Sequence, residues 1–412
     1  MLRLILILLG ILLATCSSDE QPGNYTTSSG NAAGDYKLVL DPSFDLAIRN
    51  ILLSYLAQID TDFDDLTSEL DNLEESVEAF LRDPQANTMN RMRDRWLSAH
   101  FSYELTTLHL QFAEQILLEQ DTLALFQLQY QMNHWPILPG YVDYVQGYAD
   151  SGIVNDINVS LDMLSLKEQH GAFDLAEASL GFHVLEFLMW GENKDRQSER
   201  PPSDYFVATQ LNSVAIETDI ELGQRNESRR RRILSLIMES LVNDFNTSRT
   251  IWSATSDRFR AGLSDLNSND IVILLLDATT TILTEEILLR SLYPLLNGEY
   301  VDSIQSPFSH STQNVVSAQL SSVERLLRET FGSSGERLDS VLVYLSRDFE
   351  EFFYQNFDAS KECLILLYSK FEVPESAMVK AEAEFEIVEC INLLTNTIDY
   401  LEQIKIDLSR PV

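Results

Sequence analysis

The chain has 412 residues, of which 64 are acidic and 29 basic, for a formal charge of −35. Such an acidic surface excludes nucleic acid as a partner, because that binding needs basic residues to displace counterions. It is compatible with cations or cationic ligands, and equally with simple solubility. Three cysteines in this length exclude a disulfide framework.

At the N-terminus, Arg3 precedes an apolar run from Leu4 to Ala14, broken only by Gly10. A bilayer span takes about 20 apolar residues, so the run reads as a secretory signal over residues 1–15. It ends in Leu13-Ala14-Thr15-Cys16, which looks like a lipobox with Cys16 as the lipidated residue. An ordinary cleaved signal with an incidental cysteine is the alternative. Ser17 after the cysteine points to the outer membrane. The expected location is thus its periplasmic side or the cell surface, with the membrane reached through the anchor. Residues 16–39 are rich in Ser, Thr, Gly, Asn and Asp. They bury too little apolar surface to offset the entropy of ordering and read as a flexible tether. With Cys16 lipidated, Cys363 and Cys390 remain in an oxidising compartment, and the residues leave open whether they pair.

The body has few breakers, 15 Gly and 11 Pro in the whole chain. Asp41-Pro42 is a helix-start signal, and Phe44, Ile48, Ile51, Leu52, Tyr55 and Ile59 follow on one helical face. The pattern returns at Ile233, Ile237, Leu241 and Phe245, and at Val316, Leu320, Val323 and Leu327. It recurs at Ile387, Ile391, Leu394, Ile398 and Leu401. These stripes predict packed helices and no strands. Irregular stretches cover residues 136–156, 191–203 and 303–311. A boundary near residue 205 divides the body into halves at 40–205 and 206–412. Arg229-Arg230-Arg231-Arg232 is the one basic run, at a helix start where positive charge is unfavourable. It reads as a solvated face.

Chemistry concentrates in Gly181-Phe182-His183-Val184-Leu185-Glu186. A spacing of three puts the imidazole of His183 and the carboxylate of Glu186 on one face of an apolar helix. Such a donor pair suits Zn²⁺ or iron. From spacing alone, a mutually hydrogen-bonded core pair is the more common outcome.

The segment Gly181-x-His183-x-x-Glu186, continued by Phe187-Leu188-Met189-Trp190-Gly191, resembles the Gly-x-His-x-x-Glu motif of the imelysin family. Trp135-Pro136, Gly140-Tyr141-Val142-Asp143-Tyr144, Arg200-Pro201-Pro202-Ser203-Asp204 and Ser306-Pro307-Phe308-Ser309 resemble further family elements in the same order. His100 stands where the family usually has Arg, which exchanges a permanent charge for a titratable one. The resemblance implies an all-α fold of two four-helix-bundle-like halves packed with a cleft between them. It implies His183 and Glu186 as metal ligands, with His100, Trp135, Tyr141, Asp143, Ser309 and His310 as cleft-lining candidates. For Trp190 ordinary packing is the better reading.

The family was named for a metallopeptidase, yet neither His-Glu-x-x-His nor His-x-x-Glu-His occurs in the chain. The reading adopted is a lipid-anchored protein that binds a metal ion or iron-containing ligand in iron acquisition. Iron or another divalent metal is the expected cofactor, haem a candidate ligand, and transport proteins candidate partners. A metal-dependent peptidase and a helical scaffold with a structural His-Glu pair are the alternatives.

Overall fold

The apolar stripe that opens at Phe44 becomes the first long helix, α1 (Ser43–Arg82), with Ile48, Ile51, Leu52, Tyr55 and Ile59 all buried. The computed structural model describes residues 43–194, 198–207, 225–299, 304–330, 335–371 and 381–409. The expected signal segment, Cys16 and the tether lie outside them. Next come α2 (Ala86–Ile116), α3 (Glu119–Asn133) and α4 (Phe182–Trp190). They are followed by α5 (Asn226–Gly262) and α6 (Ser268–Thr281), which runs on into a π-helical segment, Ile282–Leu292. The last long helices are α7 (Thr312–Arg328), α8 (Tyr354–Phe371) and α9 (Ala381–Ser409). The fold is all-α, with no strand among the described residues beyond an isolated bridge between Val145 and Tyr148. No described helix is long and apolar enough to cross a membrane.

The centre of the packing is α2, which touches α1, α4, α6 and α7. A helix with that many neighbours cannot have a single apolar stripe. Its buried residues accordingly lie on several faces and include the polar His100, Glu104, Thr106 and His109. The stripe at Ile387–Leu401 packs α9 against α8 and α6. The described body belongs to one compact unit, Lys37–Val412.

The basic run does not form a solvated face. Arg229 and Arg230 are each only 4 % exposed. The cause is the irregular backbone of residues 141–159, whose carbonyls have no helical partner and must be satisfied elsewhere. Arg229 donates to the carbonyls of Ile153, Val154, Asp156 and Val159. Arg230 donates to both carboxylate oxygens of Asp143 at 2.6 and 3.0 Å, and Arg200 adds a bond at 2.8 Å. Burial raises the Asp143 pKa, but the two guanidinium groups more than reverse this and hold it below the usual carboxylate value. The unfavourable charge at the start of α5 is therefore neutralised by a carboxylate from the loop it anchors.

Cys363 on α8 and Cys390 on α9 form a disulfide, with their Cα atoms 5.5 Å apart. This resolves the pairing that the sequence left open. Constraining the unfolded chain in this way stabilises by about 2–4 kcal/mol. Urea unfolding of Cys363→Ser should show a loss of that order. An unchanged midpoint would show that the bridge contributes nothing.

Candidate functional site

The short helix α4 is buried along its whole length, so all its terminal backbone groups need partners inside the protein. Its last four carbonyls find them. Phe187 O accepts from Gly191 N, Leu188 O from the Tyr205 hydroxyl at 2.6 Å, and Trp190 O from Arg200 N at 2.8 Å. Met189 O accepts from the Arg93 guanidinium at 2.9 and 3.2 Å. At the other end Gly181 has φ +97°, and a Cβ there would stand 2.6 Å from the Gln131 carbonyl oxygen and 2.7 Å from that of Met132. Only glycine fits this approach of α4 to the end of α3. The first residue of the motif is thus required by backbone contact.

His183 and Glu186 meet on one face of α4 as their spacing predicts, with His183 Nδ1 and Glu186 Oε2 3.1 Å apart. They are enclosed, at 1 % and 0 % exposure. Glu186 Oε1 accepts three further bonds, from Phe308 N at 3.0 Å, Ser309 N at 2.7 Å and Ser309 Oγ at 2.7 Å. Both carboxylate oxygens are therefore engaged, while His183 Nε2 has no partner. Burial pushes the Glu186 pKa up to about 7 against these opposing bonds. Burial, aided by the charges of His100 and Arg290, pushes His183 well down, so its imidazole is neutral. When Glu186 is ionised, Nδ1–H donates to it and Nε2 keeps its lone pair.

Beside this pair lies a second buried carboxylate, which the sequence reading missed. Glu104 is 0 % exposed. It accepts from Asn133 Nδ2 and Gln305 Nε2 at 2.7 Å each and from Gln319 Nε2 at 2.9 Å, with His100 Nε2 3.4 Å away. Burial raises its pKa, but His100, Asn133 and Gln319 outweigh this and keep it ionised. The one local signal was its place four residues after His100 on the same helical face. His100 itself stacks on Trp96, bonds Asn133 Oδ1 at 3.1 Å and stands edge-to-face with His183 at 5.1 Å between ring centroids.

The other expected residues divide into two groups. Ser309 joins the pair directly. His310, at φ +57°, donates from Nε2 to the Asn193 carbonyl at 2.7 Å in the same loop region. Trp135 is buried beneath the Arg290 guanidinium, 4.5 Å from its ring centroid. Tyr141 bonds the Gln169 carbonyl through its hydroxyl, and Asp143 sits in the ion-pair cluster with Arg200 and Arg230. Neither has a bond to His183 or Glu186. Trp190 packs edge-on against Trp96. Among the described residues no group of three or more His, Cys, Asp or Glu side chains is arranged to hold a metal ion.

Two outcomes follow from this geometry. Gly181→Ala forces its methyl onto two backbone carbonyls at a positive φ, and should cost about 2–4 kcal/mol in a thermal or urea melt. A melt unchanged from wild type would refute the close approach. The raised Glu186 pKa gives stability that is fully present below about pH 4.5 and is lost as pH rises through about 7. Glu186→Gln removes this titration. Its stability relative to wild type should therefore improve by up to about 3 kcal/mol from pH 4.5 to pH 8. Parallel pH profiles for the two proteins would contradict the assignment.

No curated protein matches the sequence. A solved protein from Parabacteroides distasonis ATCC 8503, described as an iron-regulated protein A precursor, superposes with a TM-score of 0.61 at 12 % identity. The match covers 87 % of this chain and 95 % of that one, and at this identity it shows a shared fold alone. The sequence profile of the family described as Imelysin matches residues 59–399. That match covers most of the chain, and the chain belongs to the imelysin family.

Proposed function

We propose that this protein holds an iron-containing ligand at the cell envelope and serves iron acquisition, with His183 Nε2 as the contact to iron. The observation that carries this reading is the unpartnered, buried Nε2 of an imidazole whose other nitrogen is fixed by Glu186. Metal-binding histidines are commonly oriented by a carboxylate in this way. Glu186, with both oxygens engaged, orients the imidazole and does not itself coordinate. The family resemblance implied a direct ligand role for it beside His183; in the reading proposed here it holds the imidazole instead.

A bare ion fits poorly. Iron or zinc held by protein alone takes three or four side-chain donors, and the described residues bring no such group together. A ligand that carries its own donors and leaves one position open for an imidazole fits better; haem and ferric chelates are of this kind. The disulfide suits an oxidising compartment, in keeping with the export signal and lipid anchor at Cys16 read from the N-terminus. The iron-regulated description of the Parabacteroides protein supports the same role.

The metallopeptidase alternative would need a metal-bound water and a free general base. Glu186 is occupied on both oxygens, so the geometry favours binding over hydrolysis. Titration of the purified protein with ferric citrate, haem and Fe²⁺ tests the proposal. Wild type should bind at least one probe, and His183→Gln should weaken that binding at least tenfold with an unchanged melting temperature. Equal affinity in both proteins would end the proposal.

A further inference from the structure

A hydrogen bond fixes one atom of a ring and leaves the ring free to turn about that atom. The outer torsion of a histidine side chain is broad and does not set the ring plane on its own. The bond between His183 Nδ1 and Glu186 therefore leaves the direction of the Nε2 lone pair undetermined. A second contact to the ring has to determine it. Among the described residues the ring contact to His183 comes from His100, with centroids 5.1 Å apart and planes at 87°.

His100 is itself immobilised. Its ring stacks on Trp96 at 4.6 Å and leans on Phe182 at 5.0 Å. Trp96 is fixed in turn, because its indole N–H donates to the Phe182 carbonyl at 3.0 Å. One face of α2 thus grips the first turn of α4 through both Phe182 and His183. Asn133 Nδ2 donates to Glu104, which leaves Asn133 Oδ1 as an acceptor. His100 Nε2 faces that oxygen at 3.1 Å and Glu104 Oε1 at 3.4 Å. Between two acceptors this nitrogen carries a proton. The side chain therefore has two separable features, a ring against His183 and an N–H toward the buried charge of Glu104.

We infer that His100 is a positioning residue for His183, whose ring, and not whose N–H, sets the plane of the imidazole and aims Nε2 at the ligand. This rests on the reading of His183 given above and adds what makes that imidazole directional. A binding group works when its rotamer is locked by packing as well as by a hydrogen bond. Glu186 supplies the bond and His100 supplies the packing.

Two substitutions separate the features. His100→Gln keeps an N–H donor for Glu104 and removes the ring. His100→Phe keeps a ring and removes the donor. The mature full-length proteins should be compared by thermal melts and by ¹³C relaxation of the His183 ring without ligand. They should then be titrated with ferric citrate and with haem, with His183→Gln as the control. Stability should follow the donor, so His100→Gln melts as wild type and His100→Phe melts lower. Rigidity of the His183 ring should follow the His100 ring, kept in His100→Phe and lost in His100→Gln. Affinity for whichever probe binds wild type should fall about tenfold or more in His100→Gln, and hold near the wild-type value in His100→Phe. A rigid His183 ring in His100→Gln overturns the inference without reference to any ligand. So does affinity that falls in step with melting temperature across the two variants, which would make the role of His100 structural alone. In both cases the His183 reading stands if His183→Gln has lost binding. If wild type binds neither probe, or His183→Gln binds as wild type, the His183 reading fails and the binding role of His100 falls with it.

Discussion

Glu104 keeps its charge at the centre of the molecule, out of reach of water. An ionised carboxylate there costs several kcal/mol unless its oxygens are satisfied. Its donors come from α2 itself, from the end of α3, from the segment before α7 and from α7. Those segments must meet in one geometry or leave a buried charge unpaired. His100, one of the partners, also touches the ring of His183. The position of the motif histidine is therefore tied to the same constraint that sets the helix arrangement.

The motif helix is held with similar strictness at both ends. A nine-residue helix with no exposed face has little stability of its own. Gly181 seats its start on the carbonyls of α3, and Arg93, Tyr205 and Arg200 satisfy its final carbonyls. Arg93 comes from α2, while Tyr205 and Arg200 come from the segment after the helix. The same Arg200 reaches Asp143, and Arg230 of α5 closes that cluster. An overall acidic protein thus spends several of its few arginines in the interior, where they hold irregular backbone and buried carboxylates.

These constraints leave His183 with one nitrogen fixed and the other unused. A structural histidine in a finished core normally has both ring nitrogens satisfied or one facing solvent. Here the carboxylate partner is saturated by the Phe308–Ser309 backbone and the Ser309 hydroxyl, so it acts as a rigid holder for the imidazole. The proposed contact to an iron complex draws on this rigid orientation and the buried open lone pair. A hydrolytic site, by contrast, needs a loosely held base beside water.

The helical class, the apolar stripes of α1, α5, α7 and α9, and the pairing of His183 with Glu186 were all determined by the sequence itself. Each follows from backbone geometry over a few residues: a 3.6-residue turn decides which neighbours share a face. The resemblance carried by the motifs around Trp135, Gly181 and Ser306 was equally readable. Tertiary structure alone decided that Glu104 needs Asn133, Gln305 and Gln319, that Arg229 and Arg230 are buried, and that Ser309 saturates Glu186. It also decided that Cys363 meets Cys390. These partners lie tens to hundreds of positions apart, and a helical period does not say which helix a given face will meet. The charged run at Arg229–Arg232 shows the difference most plainly. By composition it belongs in water, but the unpaired carbonyls of a distant loop and the buried charge of Asp143 draw two of its guanidinium groups inside.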